Sequence, residues 1–190
     1  MSMDTAILSQ LWQGTLAQSV PASQKWVLRA MQQYGSGLVT MLWRMLGDEH
    51  DVCDVYQDTF LHLAHSFSNR PKPRHVRAYL YRTSMNVAIS ILRRKRIERQ
   101  FEKTLSEQMD SSFQVDYAGQ LDVPVMQEKL RKAMGELPEY LANVVALRDL
   151  GELPYADVAA ILGISKTAAR VYRHKAIGLL AAKLSNADSR

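Results

Sequence analysis

The sequence predicts an all-α protein of two small helical domains joined by a flexible linker. Three observations carry that reading. Apolar residues recur at helical spacing through nearly the whole chain. Residues 102–124 break the pattern: Glu102, Glu107, Asp110, Asp116 and Asp122 face one cation, Lys103, with Ser111, Ser112 and Gly119 between them, which is the composition of a solvated linker. Beyond it, residues 153–184 read as a short helix, a break at Gly163, Ile164 and Ser165, and a longer basic helix. The chain thus divides into an N-terminal extension (1–24), a first helical domain (25–101), an acidic linker (102–124) and a second helical domain (125–190).

Composition sets the class. A chain of 190 residues with 47% hydrophobic content can fill two small cores. A formal charge of +5 and a pI near 9.4 point to a polyanionic partner. Cys53 is the only cysteine, so no internal disulfide can form, as expected of a reducing compartment. The start lacks the pattern of a signal peptide, and no apolar stretch is long enough to span a bilayer. The expectation is a soluble, cytoplasmic protein with no membrane insertion.

The elements follow in order. Residues 1–24 are polar and mixed, and favour neither a loose helix nor a mobile arm. From Trp26 to Ser68 come helical segments, expected to break at Gly35 to Gly37 and again at Gly47. Arg70, Pro71, Lys72, Pro73 and Arg74 make a stiff basic loop, since each proline disfavours helix in the residue before it. Val76 to Gln100 reads as a long helix with a basic end. Helix resumes at about Val125, with Pro138 expected in the first turn of another helix and Gly151 ending it. In the terminal pair, Val158, Ala159 and Leu162 form one apolar stripe, Gly163 supplies the turn conformation and Ser165 caps the last helix.

Three faces carry information beyond packing. On the helix from about Glu49 to Phe67, the inward stripe is Val52, Tyr56, Phe60, Leu63 and Phe67. Opposite it, Asp51, Asp54, Asp58 and Leu61 stand at i, i+3, i+7 and i+10, with Gln57 beside them. This is either a solvated acidic face or a docking surface for a basic partner helix with Leu61 as its apolar anchor.

On the helix after the Pro-rich loop, Leu80, Ser84, Val87, Ala88 and Ile91 point inward, while Tyr79, Arg82, Asn86, Ser90 and Arg93 share another side. Arg93, Arg94, Lys95, Arg96 and Arg99 then follow, and residues 70–100 hold ten Lys or Arg against one acid, Glu98. That density exceeds what the helix dipole rewards and suits phosphate contacts, with aromatic rings beside arginines as stacking surfaces for unpaired bases. On the last helix, Ala169, Tyr172, Ala176, Leu179 and Leu180 are expected inside. Thr167, Arg170, Val171 and His174 recur on the other side, flanked by Lys166 and Lys175, as a helix shaped for a DNA major groove requires. An ordinary αα-hairpin with a basic face is the plainer alternative.

Taken in order, these residues resemble a known family. Asp51 to Leu61 reads DVCDVYQDTFL, and Val76 to Arg96 reads VRAYLYRTSMNVAISILRRKR. Both resemble the second conserved region of bacterial RNA polymerase sigma factors of the extracytoplasmic-function group, in the sigma-70 family. Leu137 onward, LPEYLANVVALRDLGELPYADVAAILGIS and the helix after it, is similar to the fourth conserved region. The resemblance covers about residues 30 to 184, and two signatures in order are far more specific than a lone helix-turn-helix.

The resemblance implies a region 2 helical bundle and a region 4 helix-turn-helix. It implies that Asp51, Asp54, Gln57, Asp58, Phe60 and Leu61 grip the β′ coiled coil of RNA polymerase core, and that region 4 meets the β flap. The Pro-rich loop and the next helix, with Arg74, Arg77, Tyr79, Arg82, Asn86, Arg93, Arg94 and Arg96, occupy the part that opens and reads the −10 element. Thr167, Arg170, Val171 and His174 would face −35 duplex, with Lys166, Arg173 and Lys175 on phosphates. The linker would run through the polymerase channel. Promoter DNA and an anti-sigma factor are the other implied partners, with no cofactor. Departures from the family pattern are Ser90 where aspartate is common, a missing tryptophan near Tyr79, and Val171, Tyr172 and Arg173 in place of a small residue, arginine and leucine. Pro154 also replaces the common Ser or Thr cap.

Other functional classes fit the sequence less well. His50, Cys53, His62 and His65 suggest a metal site only superficially. Cys53 lies about 13 Å from His62 along a straight helix, whereas ligands must each reach one ion at about 2 Å. No P-loop, nucleophile elbow or supported carboxylate pair is present, so neither a metal nor catalysis is expected. The remaining rivals are a helix-turn-helix regulator that binds an operator without joining polymerase, and a polymerase-docking protein that has lost promoter reading.

Overall fold

Every regular element in a computed structural model of the chain, which describes residues 25–68, 70–108 and 123–188, is a helix. Helix α1, Lys25–Leu46, buries Val27, Met31, Leu38, Leu42 and Met45 at helical spacing. The break expected at Gly35 to Gly37 does not occur, because these glycines serve packing. A Cβ at Gly35 would come 2.7 Å from the Tyr56 hydroxyl, and one at Gly37 would come 2.6 Å from that of Tyr81. Gly47 does end the helix: its φ is +68° and its N–H reaches the Trp43 carbonyl at 2.9 Å.

Helix α2, Glu49–Ser66, starts at Asp48, whose carboxylate accepts the Asp51 N–H at 3.0 Å. That bond to the ionised form holds the Asp48 carboxyl below its usual range. Val52, Val55, Phe60 and Leu63 are buried, and Tyr56 is half-buried. Residues 70–73 form the expected loop.

Helix α3 is Val76–Gln108. It runs past Gln100 and takes in Glu102 and Glu107, both expected in the linker. Charged residues do not stop a helix: Glu, Lys and Gln are good helix formers, and the segment has no Gly or Pro before Gly119. The remaining linker, residues 109–122, and the extension, residues 1–24, lie outside the described residues.

Helix α4, Val123–Gly135, begins slightly before the predicted Val125. Helix α5, Glu139–Val145, follows. Pro138 is its N-cap, not a first-turn residue, and its carbonyl accepts from the N–H groups of Leu141 and Ala142 at 3.0 Å each. The helix widens into a π turn, Ala146–Leu150, which Gly151 closes by donating to the Ala146 carbonyl at 2.8 Å. Helix α6, Tyr155–Leu162, stops at Gly163, which takes φ +69° as predicted. Ser165 accepts the Ala168 N–H at 3.0 Å and caps α7, Lys166–Asp188, also as predicted. Val158, Ala159 and Ile161 are buried on α6, as are Ala169, Ala176 and Leu180 on α7. Leu179, expected inside, is 43% exposed, on the far half of α7.

Helix α3 organises the molecule. Helices α1 and α2 pack against it from the N-terminal half, and α4, α5 and α6 from the C-terminal half. Leu80, Ser84 and Ala88 are buried as expected, but so are Tyr81, Met85, Ile89 and Leu92. A helix covered by both halves needs more than one apolar stripe. One apolar cluster therefore runs through both halves. Among the described residues no helix is long and apolar enough to cross a membrane.

Candidate nucleic-acid interface

The basic side of α3 is built by side chains at helical spacing, and it faces the C-terminal half over much of its length. Arg77 donates to Asp157 of α6 at 2.7 Å and lies over the Tyr81 ring at 5.8 Å. Arg93 donates to Glu139 of α5 at 3.2 Å. Between them, Arg82 and Asn86 line a cavity of about 140 Å³ with Tyr140, Asn143 and Tyr172. Arg94 is exposed and 3.8 Å from Glu98, and Arg74 is exposed in the loop. Arg96 is half-buried, its Nε without a hydrogen-bond partner.

Tyr79 belongs to a different neighbourhood from Arg82. Its ring meets Phe67 edge-on at 5.4 Å and lies parallel to His62 at 6.4 Å, while Phe67 in turn meets Trp26. The aromatic group pins the start of α3 to the end of α2 and the start of α1, which fixes the loop between them. His62 carried no signal in the sequence, because a ring contact between two helices leaves no periodic trace.

The outer side of α7 is open. Lys166, Thr167, Arg170, Val171, His174 and Lys175 are all exposed, and the Arg170 guanidinium lies 5.5 Å over the Tyr155 ring. Arg173 is committed elsewhere: its guanidinium forks onto Asp149, with N–O distances of 2.9, 3.0 and 2.6 Å. The bond raises its pKa further. A bidentate pair of this kind ties α7 to the π turn that follows α5, which leaves Lys166 and Lys175 as exposed cations flanking that side. Tyr172, expected inside, is half-buried, edge-on to Tyr140 at 5.0 Å.

The acidic side of α2 is only partly free. Asp54, Asp58 and Leu61 are exposed, Leu61 by 43%, and Gln57 is half-buried beside them. Asp51 is paired with Lys95 of α3, and Phe60 is buried. Burial pushes the neighbouring Cys53 thiol up, so it is a poor thiolate. Among the described residues no three His, Cys, Asp or Glu side chains converge as a metal site would require.

Known proteins share this organisation. The sigma-70 region 2 family matches residues 30–97, and the sigma-70 region 4 family matches residues 127–180. Between them these cover more than half of the chain. This chain belongs to the sigma-70 family. Helices α1 to α3 carry region 2 of this sigma factor, and α4 to α7 carry region 4. It is 24% identical over 151 residues to the ECF RNA polymerase sigma factor SigE of Mycolicibacterium smegmatis, an alignment covering 76% of this chain and 56% of that protein. The chain thus spans little more than half the length of that relative. It is 26% identical over 146 residues to the RNA polymerase sigma factor YlaC of Bacillus subtilis, covering 76% of this chain and 84% of that one. CnrH, solved in complex with the cytosolic domain of CnrY, shares the fold with a TM-score of 0.55 at 19% identity, over 94% of this chain and 97% of that one.

Several residues that shape the site had no signature in the sequence. Asp157, Glu139, Asp149 and Glu152 each pair with an arginine. All but the Asp149 pair join the two halves of the sigma factor over long sequence separations, where helical periodicity is silent.

Proposed function

We propose that this sigma factor is a dissociable specificity subunit of RNA polymerase, of the extracytoplasmic-function type, and that it performs no chemistry itself. Two sigma regions in the order 2 then 4, on a fold with three chemically distinct surfaces, carry the reading. Helix α2 docks on the polymerase β′ coiled coil through Asp54, Asp58 and Leu61, with Asp51, Gln57 and Phe60 shaping the helix around them. Region 4 meets the β flap. Helix α3 and its preceding loop open and read the −10 element. Extruding a base costs a few kcal/mol of unstacking, which stacking at about 1–3 kcal/mol per base and cationic strand contacts offset. In this role Arg74, Arg77, Arg93, Arg94 and Arg96 hold the strand while Tyr79, Arg82 and Asn86 meet bases.

Helix α7 enters the −35 major groove with Thr167, Arg170, Val171 and His174, and Lys166 and Lys175 fix its register on phosphates without reading sequence. Boundaries near residue 25, after Gln108 and before Val123 separate extension, region 2, linker and region 4. An anti-sigma factor holds the chain inactive by covering the α2 ridge. Its motive is that a free ridge would compete constantly for polymerase, and full promoter occupancy in cells without any inducing signal would contradict it. The site of action is the cytoplasm, where core polymerase and promoter are.

Run-off transcription with purified core polymerase and fragmented genomic DNA tests the proposal. Transcripts with defined starts are expected only when the chain is added. Duplex binding with no transcript from any fragment would leave an operator-binding regulator instead.

A further inference from the structure

Tyr155 opens α6 directly after Pro154, whose ring fixes its φ at −63°. Two guanidiniums lie over the half-buried Tyr155 ring, that of Arg148 at 4.9 Å and that of Arg170 at 5.5 Å. Arg148 is tethered by its own bond to the Leu153 carbonyl at 3.0 Å, so one of the two cations is already held by the chain leading into α6. Arg170 is placed differently. It is exposed on the outer side of α7, and among the described residues its guanidinium is met by the Tyr155 ring and by no carboxylate. One turn further along, Arg173 forks onto Asp149 with Tyr155 beside it, which fixes the rotation of α7 against the π turn. Two arginines of one helix are thus held in two chemically different ways.

We propose that Tyr155 is a positioning residue for the −35 element: its ring holds the Arg170 guanidinium in one orientation before α7 meets DNA, and so sets how sharply one base pair is read. The positioning role rests on the reading of α7 as the −35 surface. An arginine reads a base edge through parallel N–H bonds from its planar fork, and it surrenders much rotamer freedom to present them. Attraction between the ring face and the cation restricts that freedom in advance, and freedom given up in the unbound chain is not lost again on binding. The kind of holder matters as much as the hold. A carboxylate takes up the fork, as Asp149 does with Arg173, and an arginine so held is spent on structure. An aromatic ring attracts the charge and leaves the fork for a base. The gain is felt at the matched base pair alone, because at a mismatch the fork bonds do not form. Phosphate contacts are indifferent to it.

Fluorescence anisotropy of the full chain on fluorescein-labelled duplexes tests the role. The duplexes carry the −35 element of a promoter recovered by run-off transcription, and each single-base variant of it. Tyr155→Leu removes the ring and is expected to lower discrimination about three- to fivefold, at the same base pair that Arg170→Ala affects. Affinity for the mismatched duplexes, and its salt dependence, should change by less than about twofold. Tyr155→Phe keeps the ring and should discriminate as the unaltered chain does. Removing a half-buried ring also touches packing, so a second series keeps the ring and its volume nearly constant. Phenylalanine, trifluorophenylalanine and pentafluorophenylalanine at position 155 draw charge progressively off the ring face, and discrimination is expected to fall stepwise along them. In an Arg170→Ala chain the series should have no further effect. Full discrimination in Tyr155→Leu, a flat fluorinated series, or a fluorinated series whose loss is equal on every duplex overturns the positioning role. If Arg170→Ala leaves discrimination unchanged at every base pair, the reading of α7 fails, and the role with it. A loss in Arg170→Ala alongside a flat fluorinated series overturns the role alone.

Discussion

Gly47 and Tyr56 show how single residues fix the geometry of α2. Gly47 turns the chain at φ +68°, and a Cβ there would sit 2.2 Å from the Arg131 guanidinium carbon. Gly47→Ala is expected to destabilise the fold by roughly 1–2 kcal/mol, measured by urea denaturation. Tyr56 packs its hydroxyl on Gly35, and burial pushes its pKa up to about 12. Since the folded value lies above the ordinary phenol value of 10.0, the folded state binds more protons than the unfolded state between those pH values. Stability from this group is therefore complete below pH 10 and falls as pH rises toward 12. Tyr56→Phe should shallow the alkaline loss of stability, and an unchanged slope in denaturation midpoint against pH would show that Tyr56 does not drive it. At this same scale the sequence misleads about Gly35 and Gly37. A glycine is as useful for close approach as for ending a helix, and only the partner, unseen in sequence, decides between them.

In the proposed function, helices α3 and α7 divide the DNA between them by the kind of contact each offers. Arg170 is exposed on the outer side of α7, so Arg170→Ala should cost about 1–3 kcal/mol of discrimination at one base pair of the −35 element. Arg94, exposed in the basic run midway along α3, should act on all sequences alike: Arg94→Ala weakens binding uniformly and lowers the salt slope by about one. Titrations on a set of single-base promoter variants at several salt concentrations check both, and identical effects of the two changes on every promoter would contradict the division. The identity of these helices was legible in the sequence, because a stripe and a cap are local features. Gly163 and Ser165 are placed as their chemistry requires. Where α3 ends was not legible, since the acidic composition after Gln100 marks solvation and is silent on helix formation. Arg173 was assigned to phosphate from its charge alone. Its forked bond to Asp149 arises from the packing of α7 on the π turn, and neither the turn nor the pair has a sequence signature.

The whole molecule is a set of surfaces of opposite charge held apart on one apolar core. Its formal charge of +5 conceals an acidic ridge on α2 and basic sides on α3 and α7. That segregation suits the proposed function, in which one chain meets a basic protein surface and a polyanion together, since like charges on a common surface would repel one partner or the other. The order of the segments was readable from the sequence, whereas the contact of region 4 with α3 was not. It rests on pairs such as Arg77–Asp157, separated by 80 residues, and on a close approach at Gly135, where a Cβ would come 3.1 Å from the Leu92 carbonyl oxygen.

The central claim is that the exposed acidic ridge joins this chain to RNA polymerase. Co-migration of the purified chain with core polymerase by size exclusion at low salt tests it most directly. The unaltered chain should elute with the core enzyme, and Asp58→Lys, a change at an exposed position, should elute alone while keeping its helical content. Failure of the unaltered chain to join the core, or full retention of binding by Asp58→Lys, would contradict the claim.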